Sequence, residues 1–188
     1  MKKAVFFDFY GVLCSEATPV WFARHFDKGE ALVLKEKIFS KADMGEVTEK
    51  ETFDAISAAS GVPAEQIKAE YRELSHVNLE LVQYIGNLKK DYKVYLLSNA
   101  NGEVLNRVLK ELELYDIFDA RFISSEMKKV KPNAETYEYV LEKTGHKAEE
   151  SVFIDDNMKN VKGANDVGIT GILFKDNKSL FEQLENIL

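Results

Sequence analysis

The sequence predicts an α/β fold: an open parallel sheet covered by helices, interrupted by one helical insertion. Three observations predict it. Short apolar runs read as buried strands, helical patterns separate most of them, and one long interval holds helices but no strand. The runs are Ala4 to Phe7, Val94 to Leu97, Arg121 to Ile123, Ser151 to Ile154 and Gly171 to Phe174. They are rich in Val, Ile, Leu and Phe, as strands covered on both faces are. Strands that alternate with helices build βαβ units and a parallel sheet.

In chain order, the run Ala4 to Phe7 comes first and ends abruptly in Asp8. The stretch from Glu16 to about Leu74 then reads as several amphipathic helices. Thr48-Glu49-Lys50-Glu51 is a capping box, in which the Thr48 hydroxyl accepts from the Glu51 amide and Glu51 reaches back. Pro63 suits the first turn of the next helix, where its missing N–H has no partner to lose. A βα crossover needs far fewer residues than lie between the first two strands, so the surplus is expected to be an inserted helical subdomain. After the later strands, Asn133 is placed to cap a helix running to about Lys143, with Gly145 ending it. A helix starting near Asn157 is expected to end at Gly168. There are no internal repeats, low-complexity tracts or Pro/Gly/Ser linkers.

Bulk properties narrow the function. The chain has 188 residues, 45% of them hydrophobic and 30% charged, which suits one globular domain with a modest insertion. The formal net charge of −7 argues against nucleic acid or an anionic membrane as partner, since both call for basic patches. An anionic small molecule remains compatible, because a bound metal overrides the global sign locally. The single cysteine, Cys14, rules out an intramolecular disulfide. Asp8 breaks the apolar start of the chain before it resembles a signal peptide, and no run approaches the roughly 20 apolar residues that cross a bilayer. A cytoplasmic protein, monomeric or weakly dimeric, is expected.

Four features fall at the C-terminal ends of expected strands, the edge where open α/β sheets bind ligands. Asp8 follows the first strand and precedes Tyr10-Gly11, where glycine allows a tight turn or close backbone approach. Leu97-Ser98-Asn99 ends the second strand in a hydroxyl and an amide able to hold phosphate oxygens. Lys131-Pro132 places an ammonium before a helix, where it can neutralise developing negative charge. Ile154-Asp155-Asp156 ends the fourth strand in paired carboxylates, with Asn160 one helical turn beyond Asp156; hard oxygen ligands of this kind suit Mg2+. Taken singly, Ser98 is better read as a plain turn and Lys131 as a surface lysine in the basic run Lys128-Lys129-Val130-Lys131.

In this order, the four features resemble the four motifs of the haloacid-dehalogenase-like superfamily, over nearly the whole chain. The segments Lys131-Pro132-Asn133-Ala134-Glu135-Thr136-Tyr137 and Phe153 to Thr170 look especially close to its pattern. The insertion resembles its C1-type helical cap, as in subfamily IA. The resemblance implies a Rossmann-like core, residues 1–14 and 79–188, with a cap at 15–78. It implies a Mg2+-dependent phosphatase in which Asp8 attacks phosphorus and forms an aspartyl-phosphate. Mg2+ would be held by Asp8, the Tyr10 carbonyl and Asp156, with Asp155 beside the metal. Ser98 and Lys131 would bind the transferring phosphoryl, and Asn99 and Asn160 would support them. A small phosphorylated metabolite, a sugar phosphate by resemblance, is the expected substrate.

Tyr10 departs from the pattern. Most phosphatases of the superfamily carry a second Asp there as general acid and base. A phenol of pKa about 10 is a poor substitute at neutral pH, and losing such help costs on the order of a hundredfold. Two other readings follow: a metal-independent 2-haloacid dehalogenase, whose relatives place Tyr here, or a binding or regulatory protein that has lost turnover. The crowding of Asp8, Asp155 and Asp156 favours the cation-dependent phosphatase. In the insertion, Trp21, Phe22 and Phe26 are expected to form core and His25 to be a surface residue. Cys14 is read as a small buried residue and Lys128-Lys129 as a solvated face.

Overall fold

Ala4–Phe7 is buried along its whole length and forms β1, the central strand of a five-stranded sheet. The computed structural model describes residues 1–188. On one side of β1 lie β2 (Lys93–Ser98) and then β3 (Ala120–Ile123). On the other lie β4 (Ser151–Asp155) and then β5 (Thr170–Leu173). The order is β3-β2-β1-β4-β5, and every pairing is parallel. The chain therefore reverses its winding direction beside β1, the topological switch at which ligands bind in open parallel sheets.

Nine α-helices connect the strands and a tenth follows the last. Between β1 and β2 run α1 (Ala17–His25), α2 (Lys28–Asp43), α3 (Glu49–Ser60), α4 (Ala64–Leu74) and α5 (Leu79–Leu88). β2 leads through α6 (Gly102–Glu111) to β3. β3 leads through the single turn α7 (Ser124–Met127) and α8 (Ala134–Thr144) to β4. α9 (Met158–Asp166) joins β4 to β5, and α10 (Asn177–Ile187) follows.

The alternation of side chains along the strands builds two cores. Val5, Phe7, Val94, Leu96, Val152 and Ile154 face Leu81 and Ile85 of α5, Leu105 and Leu109 of α6, and Leu180 and Leu184 of α10. Phe6, Tyr95, Leu97 and Phe153 point the other way, onto Tyr137 and Val140 of α8 and Ala164 of α9. Each such fully buried side chain contributes roughly 1.5–3 kcal/mol. The inserted helices carry a third core of their own: Trp21, Phe22, Phe53, Ile56 and Ile67.

The insert is tied to the sheet at two places. At its root, residues 13–15 and 74–78 run alongside each other. The Ser15 amide donates to His76 O and the Asn78 amide to Leu13 O, both at 2.9 Å. At its far end, the turn between α2 and α3 rests on α7: Lys128 Nζ donates to Met44 O at 3.0 Å and Gly45 O at 2.8 Å, and Ser124 Oγ to Asp43 O at 2.7 Å. Arg107 of α6 adds a two-oxygen grip on Glu49 of α3.

Several local expectations shift. β2 is longer at both ends than the apolar run, and β5 begins one residue earlier, at Thr170, because ladder pairing with β4 and not side-chain character sets the ends. Pro63 stands at the N-cap of α4, one residue before its first turn. Asn133 is the N-cap of α8, but its side chain makes no capping bond there; the Thr136 hydroxyl ties the first turn to the preceding loop, donating to Val130 O at 2.7 Å. The capping box at Thr48 forms as expected, and Gly145 follows α8 with φ +70°. Lys128 is exposed, as expected of a solvated face, but the carbonyls of the α2–α3 turn also hold its ammonium, and the half-buried Lys129 pairs with Glu135.

Ile56 is fully buried against Trp21, the only tryptophan of the chain. Ile56→Ala is expected to destabilise the insert by about 2–5 kcal/mol, read as a lower urea midpoint in Trp21 fluorescence.

Candidate active site

Asp8 is the first residue after β1, and its amide still donates to Ile154 O of β4 at 2.9 Å. The backbone then turns sharply: Phe9 O accepts from the amides of Val12, Leu13 and Cys14. Gly11 sits in this turn at φ +83°, and a Cβ there would lie 2.3 Å from Asp156 Oδ2. Only glycine lets the turn pass this close to the carboxylate. The turn thus delivers Asp8 and Tyr10 to the same point as the end of β4.

Asp155, the last residue of β4, is fully buried. Its Oδ1 accepts from the Asn157 amide at 2.8 Å and from Asn160 Nδ2 at 3.1 Å, and its Oδ2 from Asn160 Nδ2 at 3.0 Å. Asn160 is itself held by α8, whose Tyr137 hydroxyl donates to Asn160 O at 2.7 Å. The sequence spacing set Asn160 beside Asp156; the structure gives its amide to Asp155. Asp156 points outward and is exposed, with no side-chain hydrogen bond or ion pair to another residue.

Lys131 enters from the loop before α8 and is buried. Its ammonium donates to Asp155 Oδ2 at 2.7 Å and Leu97 O at 3.0 Å, and pairs with Asp8 Oδ2 at 2.9 Å. The ammonium therefore has three partners within the chain, two by hydrogen bond and one by ion pairing. Asn99 fixes this loop with two bonds to the Lys131 backbone, one to the carbonyl and one from the amide, each 2.9 Å. Ser98 ends β2 with its hydroxyl buried. That hydroxyl makes no hydrogen bond of good geometry, yet it lies close enough to Asp8 to favour the ionised carboxylate.

The electrostatics are unbalanced. Burial pushes the Asp8 carboxyl up to about 7; Lys131 pulls it back, and Asp155 raises it further. Partial desolvation at the cavity floor, reinforced by Asp155, raises Asp156 as well, although its side chain is open to the cavity. Burial also opposes the charge on Lys131, but Asp8 and Asp155 outweigh it and hold the ammonium above its ordinary value. Oxygens of Asp8, Asp155 and Asp156 all lie within 4.8 Å of one another. Three carboxylates against one ammonium leave a formal charge of −2, which a divalent cation neutralises. The donor set fits Mg2+, which takes carboxylate and carbonyl oxygens. Asp156 is unengaged, Asp8 is half-engaged, and the Tyr10 carbonyl accepts no hydrogen bond within the chain.

Above this cluster lies a cavity of about 630 Å³ between sheet and insert. Asp8, Tyr10, Ser98, Asn99, Lys131, Asp156 and Asn160 line its floor, so the structure brings together every site residue read from the sequence except Asp155, which lies underneath. The insert supplies Glu16, Lys35, Asp43 and Tyr71, and α6 supplies Arg107. Sequence reasoning missed these five. Asp43 alone carried a signal: it is the last residue of α2, where the helix dipole disfavours an acid. Trp21, Phe22, His25 and Phe26 do not line the cavity. Trp21 and Phe22 are insert core, and the exposed His25 stacks on Trp21 at 3.9 Å. Cys14 is buried, which pushes its thiol up to about 11. Burial likewise carries the Tyr10 phenol well above its ordinary range.

Comparison with known proteins agrees with this geometry. The family model for haloacid dehalogenase-like hydrolases matches residues 2–168. The sesquiterpene phosphatase astK of Aspergillus oryzae is 24% identical over 99% of this chain and 96% of its own length. The D-ribitol-5-phosphate phosphatase of Bacteroides thetaiotaomicron is 28% identical over 50% of this chain and 48% of its own. A HAD family enzyme from the same bacterium, solved with magnesium and inorganic phosphate, superposes with a TM-score of 0.79. It is 30% identical, with 96% of this chain and all of that one covered.

Mg2+ at a hundred times its dissociation constant is expected to stabilise the protein by about 2.7 kcal/mol, visible as a rise in thermal midpoint that Asp156→Asn removes. Lys131→Met strands Asp8 and Asp155 without their counter-charge, and a loss of about 3–5 kcal/mol in urea unfolding is expected.

Proposed function

We propose, starting from the fact that this chain belongs to the haloacid dehalogenase-like hydrolases, that it is a Mg2+-dependent phosphatase acting through an aspartyl-phosphate on Asp8. One observation carries the reading: a buried carboxylate at the C-terminal end of the central strand shares its ammonium with a second carboxylate, beside an unengaged third. The Phe9 amide at 2.7 Å and Lys131 fix the Asp8 carboxylate, so attack on phosphorus needs little reorganisation. Asp8 forms the bond to phosphorus as the ester oxygen departs, and water then hydrolyses the acyl phosphate. The Ser98 hydroxyl, still without a partner, is free to receive a phosphoryl oxygen. Lys131 offsets carboxylate charge that would otherwise repel the phosphate. Bound Mg2+, held by Asp8, the Tyr10 carbonyl and Asp156, supplies electrostatic neutralisation of the phosphoryl group.

The substrate is a small phosphorylated metabolite, and a sugar phosphate is our reading. The relative named for D-ribitol-5-phosphate supports it, as do the charged and hydroxyl groups that face the cavity. Residues 15–78 act as a cap over residues 1–14 and 79–188, excluding water from the reacting centre. No helix is long and apolar enough to cross a membrane.

Tyr10 favours a second reading, a metal-independent 2-haloacid dehalogenase, because a halide leaves without a proton. The −2 charge of the cluster weighs against it. Phosphate release from p-nitrophenyl phosphate and a sugar-phosphate panel is expected to need Mg2+ and to vanish with EDTA or in Asp8→Asn. Halide release from 2-chloropropionate that survives EDTA would sink the phosphatase in favour of the dehalogenase. Binding of phosphate esters without turnover would favour a non-catalytic protein.

A further inference from the structure

A phosphatase of this kind needs a group that protonates the departing ester oxygen, and Tyr10 stands where such an acid is expected. With its phenol buried and its proton held more tightly than usual, Tyr10 is a weak donor for that step. The other groups near the floor are committed. Asp155 is held by Lys131, the Asn157 amide and Asn160, Lys131 is engaged by Leu97 O and both carboxylates, and Asp156 belongs to the cation site. In the insert, Glu16 is paired with Lys35 at 2.8 Å, and His25 lies outside the cavity.

Asp43 differs from all of these. It lines the same cavity as Asp8, and its carboxylate makes no hydrogen bond or ion pair. Its position is fixed through its backbone. Ser124 Oγ donates to Asp43 O at 2.7 Å and accepts from the Ala100 amide at 3.0 Å, two residues beyond Ser98. The next two carbonyls are held by Lys128. Gly45 packs so tightly here that a Cβ would lie 2.6 Å from Ser125 O. Asn101, which follows Ser98 by three residues, donates to Val47 O at 3.2 Å. The end of α2 is thus stapled to the loops that carry the phosphate-binding groups, and a free carboxylate projects from it.

We propose that Asp43, supplied by the insert, is the general acid and base of the hydrolysis; this rests on the phosphatase reading. As Asp8 Oδ bonds to phosphorus, the bond from phosphorus to the ester oxygen breaks. Its electron pair stays on that oxygen, which takes the proton from the Asp43 carboxyl. In the second half, a water oxygen bonds to phosphorus, the Asp8–phosphorus link breaks, and the proton lost by water returns to Asp43. Ester and water become alcohol and phosphate, and both carboxyls end as they began. Burial supports the role by pushing Asp43 up to about 6; Lys131 and Lys35 oppose that rise and Glu16 adds to it, so the group exchanges a proton near neutral pH.

The test compares wild type with Asp43→Asn on p-nitrophenyl phosphate and phenyl phosphate, with Mg2+. p-Nitrophenolate leaves without protonation, whereas phenolate is far more basic. kcat/KM reports the steps through departure of the alcohol. We expect it to fall about a hundredfold on phenyl phosphate and less than about fivefold on p-nitrophenyl phosphate. A burst of one equivalent of p-nitrophenolate should appear as the second half slows. Equal losses on both esters would show a structural role and overturn the inference while leaving the phosphatase standing. Failure of wild type to release phosphate from either ester in an Asp8-dependent way would overturn the phosphatase reading itself, and this inference with it.

Discussion

Lys131 carries its ammonium into the interior, where it meets Asp8 of the β1 turn, Asp155 of β4 and the Leu97 carbonyl of β2. Three strand ends are tied by one cation. Buried ion pairs seldom stabilise more than a well-packed apolar substitute would, because desolvation cancels much of the attraction. The arrangement makes sense as a means of keeping two carboxylates together in a dry place. Everything around it serves that end: Asn99 clamps the Lys131 backbone, Asn160 saturates Asp155, and Tyr137 holds Asn160. Gly163 lets α9 close onto this loop, since a Cβ there would lie 2.5 Å from Pro132 O.

Three aspartates of identical chemistry are thereby given three different roles. Asp155, with three donors and no exposure, is a fixed anchor whose charge is used by its neighbours. Asp156, next in sequence, faces the cavity without a partner. Asp8 stands between these extremes, steered by one amide and one ammonium. The end of β4 explains the first contrast: Asp155 is the last paired residue and faces inward, while Asp156 is the first beyond the strand and turns to the cavity.

The insert meets the core twice, once at its root and once through the turn between α2 and α3. The second contact runs through main-chain carbonyls, so it fixes where α2 ends without consuming side chains of that turn. The Arg107–Glu49 pair lies beside it, 40% and 15% exposed, and adds direction more than energy. Because the insert has its own apolar core, it brings a preformed wall to the cavity and leaves the sheet intact.

Sequence by itself determined the strands, their parallel pairing and the floor of the site. Those features are local: apolar runs have a period, and a carboxylate or hydroxyl directly after such a run is carried to the sheet edge whatever follows. Asp8, Ser98 and Asp156 were legible for that reason, whereas Lys131, eight residues past the end of β3, was legible only through the order of the motifs. Tertiary structure decided what each polar group touches. Asn160 sits four residues from Asp156 yet bonds Asp155, because the α9 N-terminus and Tyr137 turn its amide inward. Lys128 reads as one more surface lysine until α2 ends beside it. Asp43 lies far along the chain from every strand end, and only the packing of the insert on α7 brings it to the cavity that Asp8 also lines. Contacts between residues distant in sequence depend on how whole elements pack, and no local pattern records that.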